Sequence, residues 1–320
     1  MLSRKHRRRF RRSSQEGGWT VVDRVEVFDQ NRTLLFSIAY RMMGSVMEAE
    51  DAVQEAYLRW RQASGDEVRS PSAYLSAIVT RLCIDRLRSA RVRREQYVGP
   101  WLPEPVLGEQ AREIGDRAEL EDTLSIAFLV LLESLTPVER AVFLLREVFD
   151  YEYAEIASLV GKSEANCRQI SHRARQAVAA RRPRFESSPE QEERLMEGFL
   201  EASLAGDMEA LLALLSDDVT LYSDGGGKSR AALNPIYGAD NVARCLTAIQ
   251  SDIPPDFAVR RTRVNGRPGL VGYFGDGSVQ SVTSIEVDKG SITAIRLVVN
   301  PEKLEHVPPL EQAESEEASE

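Results

Sequence analysis

Cysteine, histidine and long apolar runs are all scarce in this 320-residue chain. Its three cysteines, Cys83, Cys167 and Cys245, share no CxxC or HxxxC spacing, and there are only three histidines. Neither a disulfide framework nor a metal site is supported, and reduced, mostly buried thiols are expected. The longest apolar stretches, such as AFLVLL at 127–132, fall far short of a bilayer span. The basic opening MLSRKHRRRFRR is followed by polar residues where a signal peptide would turn apolar. A cytoplasmic protein with no membrane contact is the expectation. No paired catalytic residues stand out, so neither an enzyme nor a cofactor is expected.

What the chain does have is charge, unevenly spread. Residues 1–188 carry 30 Lys+Arg against 27 Asp+Glu, and residues 189–320 carry 11 against 23, so a first part of +3 precedes a second of −12. Within the first part, residues 81–94 hold six arginines and one Asp, and residues 162–184 hold seven cations and one Glu. Two separate basic stripes suit a polyanion touched twice.

Hydrophobic periodicity makes the first part helical. RTLLFSIAYRMMG, MEAEDAVQEAYLRW and SPSAYLSAIVTRLCIDRLRSARVRRE read as three helices, the third capped by Ser70 with Pro71 at its first position. At about 100° per residue, Leu75, Ile78, Val79, Leu82 and the stem of Arg86 share one side of that helix. Thr80, Arg81, Ile84, Arg88 and Arg91 share the other, which is expected to be free to meet phosphates. A helix through LEDTLSIAFLVLLESL follows, then TPVE at 136–139, a capping box with proline at the first helical position. YEYAEIASLVG and KSEANCRQISHRARQAV, joined by a glycine-containing turn, form a helix-turn-helix candidate. In its second helix Cys167, Ile170, Ser171, Ala174 and Val178 face one way. Ala165, Arg168, Gln169, His172 and Gln176 face the other, with Arg175 at the margin, the layout of a helix seated in a major groove.

Between the two halves stands YVGPWLPEPV, a proline-rich strip too apolar for a spacer. Beyond residue 190 come two helices separated by Gly206, a strand ending in DGGGK, and four alternating stretches broken by NGRPG and DKG. An α+β domain with a curved antiparallel sheet is expected. GGGKS lacks the glycine a phosphate loop needs at position 222, where Tyr222 stands, so a tight turn whose lysine meets a neighbouring domain is the expectation.

DAVQEAYLRW, the arginine-rich helix and LTPVERAVFLLREVFDYEYAEIASLVGKSEANCRQISHRARQAV resemble regions 2 and 4 of a sigma-70 family factor of the extracytoplasmic-function group. WLPEPV, DGGGK at 224–228 and NPEKL at 300–304 resemble signatures of the subgroup with a fused SnoaL-like domain, with Glu302 where that pattern has aspartate. The resemblance implies a multidomain fold: two all-α helical DNA-binding domains, the region 2 bundle and the region 4 helix-turn-helix, and a C-terminal α+β cone of the SnoaL-like, nuclear-transport-factor-like kind. Its divisions would be a basic disordered tail (1–22), region 2 (23–96), a linker (97–118), region 4 (119–184), the SnoaL-like domain (190–305) and an acidic tail (306–320).

The implied function is promoter-specific initiation with core RNA polymerase, region 2 reading and melting the −10 element and region 4 reading the −35 element. Asp51, Gln54 and Glu55 would meet the polymerase. Arg81, Arg88, Arg91 and the loop 62–70 would hold the single-stranded −10 DNA, and Ser163, Arg168, Gln169, His172 and Arg175 the −35 duplex. Regulation would run through Trp101, Leu102, Pro103, Glu104 and Pro105 of the linker, gripped by the fused domain with Asp224, Lys228, Asn300, Pro301 and Lys303. The alternative is a DNA-binding regulator that does not direct initiation. Its cone would sense a small apolar ligand, or act like an isomerase with Asp224 and Tyr222.

Overall fold

The structure, a computed structural model, describes residues 21–63, 70–108, 111, 114, 123–180 and 187–310; of 21–23 and 90–95 it describes the backbone alone. Of the expected tails 1–22 and 306–320, residues 1–20 and 311–320 lie outside the described residues, as do 64–69 of the loop 62–70; the bounds are corrected at 21–22, which open the first helix, and at 306–310, where Val307 is buried in a core. No helix among those described is long and apolar enough to cross a membrane.

Three helices open the fold: α1 (Val21–Met43), α2 (Val46–Gln62) and α3 (Pro71–Glu95). α1 ends at Gly44 with φ 67°, and Ser45 caps α2 by accepting from Glu48 N at 3.1 Å. Ser70 Oγ accepts from Ala73 N at 3.4 Å, so α3 starts where the Ser-Pro pair places it. α4 (Ile126–Leu132) is shorter than the apolar run suggests, because Ser125 Oγ caps it at Phe128 N and the chain turns away after Leu132. α5 (Pro137–Phe143) carries the Thr136–Glu139 capping box and winds on into a π turn, Leu144–Val148. α6 (Tyr153–Val160) ends on left-handed Gly161, and α7 (Glu164–Ala179) begins at the Ser163 cap.

These helices share one apolar core. Leu35, Ile38, Tyr40, Trp60, Leu75 and Val79 of α1–α3 pack in the same cluster as Phe128, Leu132, Phe143 and Ala174 of α4, α5 and α7. This arrangement overturns the free-face expectation for α3 at Thr80 and Ile84, while Arg81 and Arg88 remain exposed. Thr80 is 0% and Ile84 6% exposed. α5 and α6 lie against α3, with Ser76 Oγ 2.9 Å from Tyr151 Oη and Arg81 donating to α6. A helical wheel cannot foresee a neighbour that arrives some 75 residues later.

After α8 (Pro189–Ala205) and α9 (Met208–Leu214) the chain enters β1 (Leu215–Asp224) and β2 (Ile236–Tyr237). α10 (Ala239–Ser251) leads to β3 (Ala258–Val264), β4 (Arg267–Tyr273), β5 (Val279–Asp288) and β6 (Ser291–Val298). The sheet order is β2-β1-β6-β5-β4-β3. The expected antiparallel sheet is corrected at one place, since β1 pairs parallel to β6. The crossover through α10 carries the chain from β2, beside β1, to β3 at the far edge, and successive hairpins from β3 to β6 bring it back to β1.

Alternation divides the strands between two cores. Met196, Phe199, Leu211, Val219, Leu221, Val242 and Ile295 fill the space between helices and sheet. On the outer face, Val271, Tyr273, Val282 and Val298 pack with Leu102, Leu107, Ile126 and Val130 from the linker and α4. The C-terminal sheet is therefore roofed on its outer side by the first half of the chain.

Candidate functional site

The strip 101–106 runs through a cleft between α1–α2 and the outer sheet face, and its polar groups are matched on both sides. Toward the sheet, Asp224 at the end of β1 is fully buried. It accepts from Tyr97 Oη at 2.6 Å, Leu102 N at 2.7 Å and Lys303 Nζ at 2.7 Å. Lys303 also donates to Leu102 O and sits 4.3 Å from the Trp101 ring centroid and 5.0 Å from that of Tyr97. The ammonium thus has a carboxylate, a carbonyl and two π faces. Asn300 caps the Pro301–Lys303 turn and donates to Tyr97 Oη at 2.9 Å. Lys228 pairs with Glu302 of its own domain, which corrects the expectation that this lysine meets a neighbouring one, and the longer acid of the third signature closes onto the DGGGK turn. Pro105 O, which can only accept, lies 2.6 Å from His306 Nε2 and so fixes a proton on that nitrogen.

Toward α1 and α2 the same strip contributes Glu104. Its carboxylate accepts from Val46 N at 2.6 Å and Met47 N at 3.2 Å, an anion placed on the first turn of α2. Its main chain donates to Gly44 O at 2.8 Å and accepts from Tyr40 Oη at 2.6 Å. Trp101 rests against Gly44 so closely that a Cβ there would lie 2.8 Å from the indole. Leu102 and Val106 are buried, and Pro103 and Pro105 with them. Prolines suit the strip because its buried N–H groups at Leu102, Glu104 and Val106 are each given a specific acceptor and the two prolines add none to satisfy.

The helix faces can be placed too. On α7, Cys167, Ile170, Ser171, Ala174 and Val178 are buried, and Ser163, Arg168, Gln169, His172 and Arg175 are exposed. Arg168 pairs with Glu164 and lies 4.9 Å over Tyr153, while Arg175 reaches Glu147 at 2.9 Å. On α3, Arg88 is exposed beside Asp85 at 3.1 Å, and the Arg91 side chain lies outside the described residues. Arg81 is exposed, yet its guanidinium donates to Leu159 O at 3.0 Å and Ser158 O at 2.9 Å, the C-terminal carbonyls of α6. On α2, Asp51 and Gln54 are exposed, whereas Glu55 holds Arg59 at 2.5 Å and Arg86 at 3.4 Å.

Several contributors escaped sequence reasoning. Met47 and Leu58, 57% and 50% exposed, extend the Asp51–Gln54 stripe at helical spacing; two apolar residues at polar positions of α2 were the available signal. Tyr97 belongs to the apolar strip in the sequence, and it is its hydroxyl that matters, on Asp224. Asn265, set down as turn material, is fully buried at the junction of linker, α1 and sheet. No sequence pattern separates it from an ordinary hairpin asparagine.

Comparison with known proteins agrees with this layout. Family models for "Sigma-70 region 2" and "Sigma-70, region 4" match residues 27–93 and 125–178. The ECF RNA polymerase sigma factor SigJ of Mycobacterium tuberculosis is 36% identical over 291 residues, 87% of this chain and 92% of the relative. A probable ECF sigma factor SigI of the same species is 31% identical over 277 residues, 86% of this chain and 92% of the relative. The crystal structure of SigJ superposes with a TM-score of 0.71 at 35% identity, covering 89% of this chain and 99% of that one, C-terminal domain included. The chain belongs to the extracytoplasmic-function sigma factors of the sigma-70 family, carries a SnoaL-like C-terminal domain, and works as an initiation factor for RNA polymerase.

Proposed function

We propose that this sigma factor rests in a closed form, in which the C-terminal domain clasps the linker and holds regions 2 and 4 together, and that it reads a promoter only after the halves separate. One observation carries the reading: Arg81, a candidate −10 contact, is engaged by the carbonyls of α6 in region 4. Elements centred at −10 and −35 lie about 25 base pairs apart, roughly 85 Å along a duplex at 3.4 Å per step. A compact body of about 160 residues has a radius of gyration of only about 15 Å. Helices that share one core cannot reach both elements at once, so the contacts described here and the promoter contacts exclude one another. The linker at Asp224 and Lys303 is where the fused domain enters that balance.

Within this reading, Arg88, Arg91 and a released Arg81 grip the −10 strand, and the exposed face of α7 reads the −35 duplex. Arg168→Ala should cost about 1–3 kcal/mol at one base pair of the −35 element. Arg88→Ala should instead weaken all promoters alike and flatten the log-log salt dependence by about 0.7, the single-strand value per phosphate contact. Binding measured across salt concentrations and single base-pair changes separates the two, and identical signatures would reassign one residue. The ion pair of Arg168 with Glu164 is no obstacle, since exposed pairs of this kind contribute about 0–1 kcal/mol.

The stripe of Met47, Asp51, Gln54 and Leu58 supports a polymerase-facing role for α2, the apolar ends framing a polar centre. Leu58→Asp should lower affinity for core polymerase about tenfold or more while changing the melting temperature by only a few degrees, because half of the side chain is already in water. In vitro transcription from a cognate promoter with purified core enzyme tests the whole. Transcripts are expected with the full chain and lost with Leu58→Asp. Wild-type protein that binds the promoter yet yields no transcript would point to the regulator alternative.

A further inference from the structure

We infer that Asn265 is a positioning residue, through which the β3–β4 turn holds region 2 and the entry to region 4 directly, as a second anchorage distinct from the Asp224–Lys303 clasp. The inference rests on the closed-form reading above and adds to it the residue that transmits the sheet's position to the helices.

Asn265 is 0% exposed and adopts φ 52°, a left-handed conformation that an Asn-Gly hairpin turn accepts. Turn preference explains the conformation but not the burial. Every polar group of the side chain is used, each on a different part of the chain. Oδ1 accepts from Val106 N of the linker at 3.0 Å. Nδ2 donates to Tyr40 Oη of α1 at 2.7 Å and to Leu124 O, just before α4, at 2.9 Å. The main-chain N–H donates to Val106 O at 2.8 Å, and Leu107 bridges Val264 beside it, so the linker pairs as a short antiparallel strand with the end of β3. Tyr40, fully buried, passes its own proton to Glu104 O at 2.6 Å, the residue whose carboxylate caps α2. A continuous chain of hydrogen bonds therefore runs from the sheet turn through Tyr40 and Glu104 into α2, with a branch to Leu124.

The chemistry selects asparagine. Aspartate would keep the turn and the bond from Val106 N but would turn a carboxylate toward two oxygens that need donors, Tyr40 Oη and Leu124 O. Glycine would keep the turn and the main-chain bond and delete all three side-chain bonds. Asn265→Gly and Asn265→Asp thus sever the same link by different means, and glycine suits the φ, which guards against a variant that merely misfolds.

The test uses the full chain in a Cys245→Ser background, with spin labels at the exposed positions Arg59 on α2 and Ala179 on α7. Both variants are expected to broaden and lengthen the label-to-label distance distribution. Promoter affinity with core polymerase should rise about tenfold, the size expected for two or three lost buried hydrogen bonds that favour only the closed form. A distribution unchanged in both variants overturns the inference. Asp224→Asn, which touches only the signature contacts, separates this from the underlying reading. Should it open the protein while the Asn265 variants do not, Asn265 has no positioning role and the closed-form reading stands. Should none of the three open it, both fail.

Discussion

Replacing Asp224 by asparagine should release the linker and raise promoter-directed transcription. The carboxylate is wholly buried and holds three donors, one of them the Lys303 ammonium, itself only 8% exposed at the side chain. Removing one partner of such a pair leaves an uncompensated charge in a low-dielectric site, a loss of about 3–5 kcal/mol. Hydrogen exchange at the Leu102 amide, whose proton is given to Asp224, is the local readout, and transcript yield the functional one. Lys303→Met should behave similarly. The double variant should be milder than either alone, because two neutral side chains of similar volume restore a matched interior. Additive losses in the double variant, or unchanged protection of Leu102, would count against the clasp. Salt should alter the effect little, since a pair this deeply buried is poorly screened.

Arg140→Ala is the second large effect, and it strikes the seam between α1 and α4. This guanidinium is 3% exposed. It donates to Leu132 O from Nε at 3.0 Å and from Nη2 at 2.7 Å, to Met42 O from Nη1 at 2.7 Å, and pairs with Glu133 at 2.8 Å. It satisfies the end of α4 and the end of α1 together, a span from region 4 to region 2. Alanine would leave those carbonyls orphaned and a cavity beside them, with a loss of about 3–5 kcal/mol in a urea titration. Arg140→Lys should rescue only part of this, because a single ammonium cannot reproduce a planar fork aimed at three acceptors. A loss below about 1 kcal/mol for alanine would mean that water replaces the guanidinium and that the bridge holds nothing together.

Local chemistry made much of the fold legible. The Ser70-Pro71 start, the Thr136–Glu139 box and the left-handed glycines at 44, 161 and 206 are rules of single helices, and each operates as the sequence suggests. The buried and exposed sides of α7 are likewise set by its own spacing. What failed depended on distant partners. Thr80 and Ile84 look like the free side of α3 until α5 and α6 are folded onto it. The parallel β1–β6 pair follows from a crossover that strand periodicity does not encode. For the candidate site, the three signatures drew attention to Asp224, Asn300 and Lys303, but Asn265 and Tyr40 matter through contacts across 225 residues of sequence.

The outer face of the sheet adds a condition on release. Val271, Tyr273, Val282 and Val298 are dry only because Leu102, Leu107, Ile126 and Val130 lie over them. If the first half of the chain swings away, this flat patch meets water, and an exposed apolar sheet of that kind attracts whatever hydrophobic surface is near. An opened factor of this kind is expected to associate with another copy of itself unless polymerase covers the patch first, so its lifetime should shorten with its own concentration.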